Sequence, residues 1–203
     1  MSGRTKRIER EIEKGMKSQQ FEFLDDTDGI FGDKGNCYIR FWLKDGRYAG
    51  QIQILQVKFN YGTNEKKIFP KNPPNVTFVT PCYHANIYKG GAICLDILRD
   101  DKWSPMQDID SVMSSLHLLL VEPNPSSPAH PAAGQDHRNM APGEFQRKAM
   151  EYYLLAIRNA ARDNPEKKNT LPLITCDLFK TGMSDAELEV RKTYVAAIGA
   201  ALG

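Results

Sequence analysis

The chain has few cysteines and no cysteine motif of the kind that builds a zinc module or a disulfide scaffold. Its four, Cys37, Cys82, Cys94 and Cys176, lie far apart, and none belongs to a Cys-x-x-Cys pair. That spacing argues against a zinc module and a disulfide scaffold, and it predicts a reduced protein of the cytoplasm or nucleus. No apolar run approaches the roughly 18 residues of a spanning helix, so no membrane is expected as a partner. An excess of charge is also lacking: 27 Lys+Arg stand against 25 Asp+Glu, a net charge of +2. Dedicated nucleic-acid binders concentrate more positive charge than this, so no nucleic acid is expected either. The segment Met1-Ser2-Gly3-Arg4-Thr5-Lys6-Arg7 is polar and runs into alternating charge, which predicts no secretory signal peptide. Internal repeats and low-complexity tracts are absent. What remains is ordinary globular composition in 203 residues, enough to bury a core without staples.

Periodicity predicts an α+β protein. Ile8, Ile12 and Met16 recur every four residues, which predicts a helix over 4–17 with a basic outer face carrying Lys6, Arg7 and Arg10. Four strands follow, at Phe21–Leu24, Cys37–Leu43, Gln51–Phe59 and Asn75–Val79. Asp45-Gly46 between the second and third reads as a hairpin turn. In the third, Ile52 and Ile54 share one face before Leu55, Val57 and Phe59 take over the other. A bulge would accommodate that slip. Short connections imply a four-stranded antiparallel meander. From 80 to 107 the periodicity fails, and a loop that long in a compact domain is usually functional. Helices are predicted at 110–121 and about 143–162, separated by a Pro/Asn/Ser stretch at 123–131. Ser184-Asp185-Ala186-Glu187 is a capping box that opens a last helix, about 184–202.

The irregular segment reads Tyr83-His84-Ala85-Asn86-Ile87-Tyr88-Lys89-Gly90-Gly91-Ala92-Ile93-Cys94-Leu95-Asp96-Ile97-Leu98, followed by Trp103-Ser104-Pro105. It closely resembles the ubiquitin-conjugating enzymes, with their His-Pro-Asn, seven residues, active cysteine, Leu-Asp-Ile-Leu and Trp-Ser-Pro. Pro73-Pro74 and Glu122-Pro123-Asn124-Pro125 match in kind and order. The resemblance covers about residues 4–160. It implies a catalytic core over 1–162, leaving 163–203 as a C-terminal extension.

The resemblance implies roles residue by residue. Cys94 would be the nucleophile that takes ubiquitin as a thioester from an activating enzyme and passes it to a lysine or a ligase; a thiol suits both steps. Without the motif, a cysteine in Ala92-Ile93-Cys94-Leu95 would read as a buried hydrophobe. Asn86 would stabilise an oxyanion or brace its loop, and a simple turn asparagine is the plainer alternative. His84 would be structural rather than a partner of a protease-type pair, which also needs an orienting Asn or Asp. Asp96 and Ile97 would contact ubiquitin, although Ile97 also suits core packing. Lys6, Arg7, Arg10, Lys71, Trp103, Ser104, Pro105 and Met106 would face the activating enzyme and RING- or HECT-type ligases. His130 and His137 read as surface histidines, with no metal. No cofactor is implied, since the activating enzyme consumes the ATP. The alternatives are a conjugating enzyme for the cullin-directed, Rub/Nedd-type modifier and a non-catalytic ubiquitin-binding scaffold.

Three departures from the family pattern stand out. Ala85 replaces a proline that would fix φ and restrict His84. Ser127 stands where many relatives carry an acid near the incoming lysine. Ser127-Pro128 also suits a proline-directed kinase, whose phosphate would supply negative charge or block the site by its size. The segment from Asn60 to Phe69 is longer than usual. We expect Ala85→Pro to leave thioester loading intact and to speed lysine discharge, and Ser127→Asp to discharge faster than Ser127→Ala. Single-turnover discharge rates check both, and rates equal to wild type contradict them.

Overall fold

The computed structural model describes residues 3–15, 21–24, 37–43, 46–48, 51–61 and 67–163. The chain runs α1 (Gly3–Gly15), β1 (Phe21–Leu24), β2 (Cys37–Trp42), a 3-10 turn (Gly46–Tyr48), β3 (Ile52–Lys58), β4 (Asn60–Tyr61), β5 (Lys67–Ile68) and β6 (Asn75–Phe78). A second 3-10 turn (Asp96–Leu98), α2 (Ile109–Val121), α3 (Pro131–Asn139) and α4 (Pro142–Asp163) complete it. Residues 16 and 17 of the expected first helix, Cys176, and the extension from 164 onward with its expected helix at 184–202 lie outside the described residues. Among the described residues no helix is long and apolar enough to cross a membrane.

The main sheet is antiparallel in the order β1-β2-β3-β6, the expected meander. Its alternation stacks one apolar face. Phe21 pairs with Phe41, Phe23 with Ile39, Ile39 with Leu55, and Leu55 with Phe78. Against that face packs α2 with Val112, Met113, Leu116 and Leu120, while Phe145 of α4 packs against Tyr48 of the first 3-10 turn and against Tyr83. Spacing of three and four residues puts the α2 set on one side of the helix.

Three expectations change. The β2–β3 register runs without a break from Cys37↔Val57 to Trp42↔Ile52, so no bulge interrupts it. The slip in the apolar pattern arises because both faces of β3 are covered: Ile54 is buried on one side, Leu55 and Val57 on the other. β2 and β3 pair antiparallel as expected, but the pairing ends at Trp42 and Ile52, so no two-residue turn joins them, and the Gly46–Tyr48 turn sends Tyr48 into the core. Helix α3 was not expected at all. The long segment after β3 forms a two-stranded ribbon, β4–β5.

Helix α1 is latched to the start of α2. Glu11, buried, accepts the Ile109 N–H at 2.9 Å and the Arg7 Nε–H at 2.6 Å. Lys14 lies 2.7 Å from Asp108 and 2.6 Å from Asp110, and the two carboxylates hold its pKa above the usual lysine value. Asp108 caps α2 by accepting the Ser111 N–H at 2.9 Å. Burial alone would raise its pKa. Hydrogen bonds from Lys14 and Ser111 outweigh that and pull it down to about 2. A depressed carboxylate contributes stability above its unfolded pKa and loses it as pH falls through its folded one. We expect Asp108→Ala to cost about 1 kcal/mol at pH 7. The gap to wild type should close between about pH 4 and pH 2, as urea unfolding across pH will read.

Candidate active site

Residues 80–107 have little regular structure, so their polar groups must be satisfied individually. A tight turn starts the work: the Gly91 N–H donates to Tyr88 O at 2.8 Å and the Tyr88 N–H to Ala92 O at 2.9 Å. Gly91 has φ +86° and approaches the sheet so closely that a Cβ would lie 2.1 Å from Phe78 O. Only glycine fits there. Its carbonyl accepts the Phe78 N–H at 2.8 Å, which pins the turn to the edge of β6. The chain then returns through an Ile87↔Ile93 bridge to Cys94, whose thiol is exposed. The Cys94 N–H donates to Asn86 O at 2.9 Å.

His84 lies directly behind. It is fully buried, with its ring 5.3 Å from that of Tyr48. Nδ1 accepts the Asn86 N–H at 3.0 Å, and Nε2 lies 3.1 Å from Leu119 O. A carbonyl only accepts, so Nε2 carries the proton and the ring is neutral. Burial pushes its pKa down to about 3. Both nitrogens are committed within the fold, leaving neither to take a proton from Cys94.

Ala85 is buried, and its carbonyl accepts the His130 N–H at 3.0 Å. Asn86, also buried, uses its side chain as a two-way clamp. Nδ2 donates to Asn124 O and Oδ1 accepts the Asn124 N–H, both at 2.8 Å. That leaves a second Nδ2 hydrogen, the one through which an oxyanion contact would have to run. Ser127 is exposed on the loop that follows Asn124.

Beyond the thiol, Leu95, Asp96 and Ile97 form one wall of a groove of about 300 Å³; Ser115, Leu118, Leu119 and Glu122 form the other. Asp96 is exposed, whereas Ile97 is half-buried and packs against the core. Sequence reasoning missed Leu118, which stands 58% exposed on α2. A leucine off the helix's own apolar stripe was the available signal.

The residues expected to dock partners divide. Lys6, Arg10, Lys71, Ser104, Pro105 and Met106 are exposed, Met106 at 89%. Arg7 turns inward, donating to Gln107 O at 2.9 Å and lying 5.6 Å over the Phe69 ring. Trp103 is buried, and its Nε1–H donates to Pro70 O at 2.8 Å. Arg7 and Trp103 therefore tie the Lys71 loop to the Met106 loop instead of lining an open surface. His130 is not a surface histidine: it is buried, and Nδ1 accepts the Ala133 N–H at the start of α3. His137 is half-buried against Phe145. Among the described residues no group of three His, Cys, Asp or Glu could hold a metal ion.

An exposed thiol on a loop braced by a buried histidine and asparagine, over an antiparallel meander with helices behind it, defines a narrow class of protein. A family model described as "Ubiquitin-conjugating enzyme" matches residues 7–153, most of the chain. The chain belongs to that family. It is also similar to a Caenorhabditis elegans protein named "Ubiquitin-conjugating enzyme E2 1", with 46% identity over 67 residues, 33% of this chain and 34% of the relative. The match thus spans about a third of that protein's length.

His84 carries a pH signature. Its imidazole is neutral in the fold, while the unfolded chain binds a proton near pH 6.5, so stability falls as pH drops from about 6.5 toward 3. The lost contribution is on the order of 5 kcal/mol. We expect His84→Asn to be less stable at pH 7 yet flatter over that range in urea titrations. A slope equal to wild type contradicts the buried neutral ring.

Proposed function

We propose that this protein carries ubiquitin as a thioester on Cys94. The Cys94 thiolate attacks the C-terminal glycyl carbonyl held on the activating enzyme's cysteine. A new C–S bond forms, the old one breaks, and the released thiolate of the activating enzyme takes up a proton. In the second step the amine of a substrate lysine, or a ligase cysteine, attacks the same carbonyl, the C–S bond to Cys94 breaks, and the departing Cys94 thiolate takes up the proton that the nucleophile sheds. The observation that carries this reading is the exposed Cys94 with its N–H on Asn86 O and the Asn86 side chain clamped to Asn124. Such a thiol is open to a macromolecular acyl donor, while its backbone stays fixed.

The neutral His84 supports a transfer role over a hydrolytic one, because both its ring nitrogens are engaged within the fold and it cannot serve as the base that activates water. Lys6 and Arg10 on α1 support docking of the activating enzyme. Lys71 and Met106, on two loops tied by Trp103, support docking of a RING- or HECT-type ligase. The protein would work in the cytoplasm or nucleus, where thiols stay reduced. Asp96 after Cys94-Leu95 favours ubiquitin over the cullin-directed modifier, and the presence of Cys94 itself favours a carrier over a scaffold.

Incubation with activating enzyme, ATP and ubiquitin should give a thiol-labile adduct one ubiquitin heavier. Cys94→Ala should give none, and Cys94→Ser an adduct that survives reductant. An adduct formed only with the cullin modifier reassigns the cargo. None with either, from folded protein, makes the chain a scaffold.

A further inference from the structure

Helix α3 contributes little to the core: only Ala133 and Gly134 of its nine residues are buried. Asp136 meets Tyr83 and Lys148, and His137 packs against Phe145; further contacts go to the loop 123–130. Gly134 lies against Pro128 so closely that a Cβ would stand 2.6 Å from Pro128 Cβ and 3.0 Å from Cγ. Glycine inside a helix costs about 1 kcal/mol against alanine, so this close approach accounts for its presence. Arg138, one turn further on, donates to Pro125 O. His130 caps α3 through Nδ1, and its own N–H donates to Ala85 O. At the other end Asn86 grips Asn124 on both backbone groups, and Asn124 Oδ1 accepts the Ser126 N–H at 3.1 Å. The loop is thus held at Asn124, Pro125, Pro128 and His130, with Ser126 and Ser127 exposed between the clamps.

We infer that α3 is a brace for the lysine side of the site, with Gly134 and Arg138 as positioning residues that set where Ser126 and Ser127 stand relative to Cys94. Neither touches the reacting atoms; both act through the backbone of the loop. The inference rests on the carrier reading, because only a thioester on Cys94 gives the loop an amine to admit. Loading brings the acyl group from another protein's cysteine and requires no such admission. Discharge requires the amine within about 3–3.5 Å of the carbonyl, where a shift of about 1 Å can cost up to about a hundredfold in rate.

The test compares wild type with Gly134→Ala and Arg138→Ala in the full chain. Amide hydrogen exchange reads the brace without reference to activity. We expect faster exchange at Asn124 and Ser126 in both variants, with the Cys94 amide unchanged. Loading by the activating enzyme should be unaffected, and discharge to free lysine should fall about tenfold in the alanine variants. Arg138→Lys should recover part of that loss. Unchanged exchange at Asn124 overturns the brace, whatever the activity. Exchange that rises everywhere, with loading, discharge and Tm falling together, reduces α3 to ordinary scaffolding and also overturns it. Should Gly134→Ala fail to fold, Arg138→Ala, an exposed substitution, decides alone. Absence of any wild-type thioester would defeat the carrier reading, and exchange would still judge the brace.

Discussion

A nucleophile placed on a loop without repeating structure depends on that loop satisfying its own backbone. Here the burden falls on Asn86. Its carbonyl holds the Cys94 N–H, its N–H goes to His84, and its side-chain amide closes both backbone groups of Asn124. A buried amide with unmet partners costs about 1–3 kcal/mol. The thiol, the histidine turn and the lysine-side loop therefore meet at one asparagine, each held by a different group of it.

The same economy marks the far end of the molecule. Arg7 binds Glu11, Gln107 O and the Phe69 ring, while Glu11 reaches the first turn of α2. Trp103 bonds to Pro70 O, and Lys67 pairs with Asp100 in the loop that follows the Asp96–Leu98 turn. The helix expected to meet the activating enzyme and the two loops expected to meet a ligase thus share internal fasteners. Arg7 in particular cannot swing out to a partner without breaking three contacts.

Alanine at position 85 reads differently once its surroundings are known. Proline would have stiffened the chain through its ring. With alanine the turn is held by the hydrogen bonds on either side, Asn86 N–H to His84 Nδ1 and His130 N–H to Ala85 O, and by full burial of the methyl group. Fixing a residue's backbone costs about 1–2 kcal/mol of entropy, so hydrogen bonding and packing here offset a cost that proline would have lowered in advance.

The strands were legible because alternation is local, and α1, α2 and α4 because their apolar stripes are. Helix α3 was not, since Pro131 to Asn139 carries no apolar stripe and makes its contacts through Gly134, Asp136, His137 and Arg138, with His130 as its cap. The apparent slip in β3 misled for a related reason: a strand covered on both faces has no single period to read. By itself the sequence determined the meander, the family likeness and the candidacy of Cys94, His84 and Asn86, because motif spacing and side-chain period are properties of neighbours along the chain. The tertiary structure alone decided that His84 is neutral and spent, that Arg7 and Trp103 face inward, and that Asn86 clamps Asn124. Each of these rests on contacts across tens of residues, and burial and hydrogen-bond partners at that range exist only after folding.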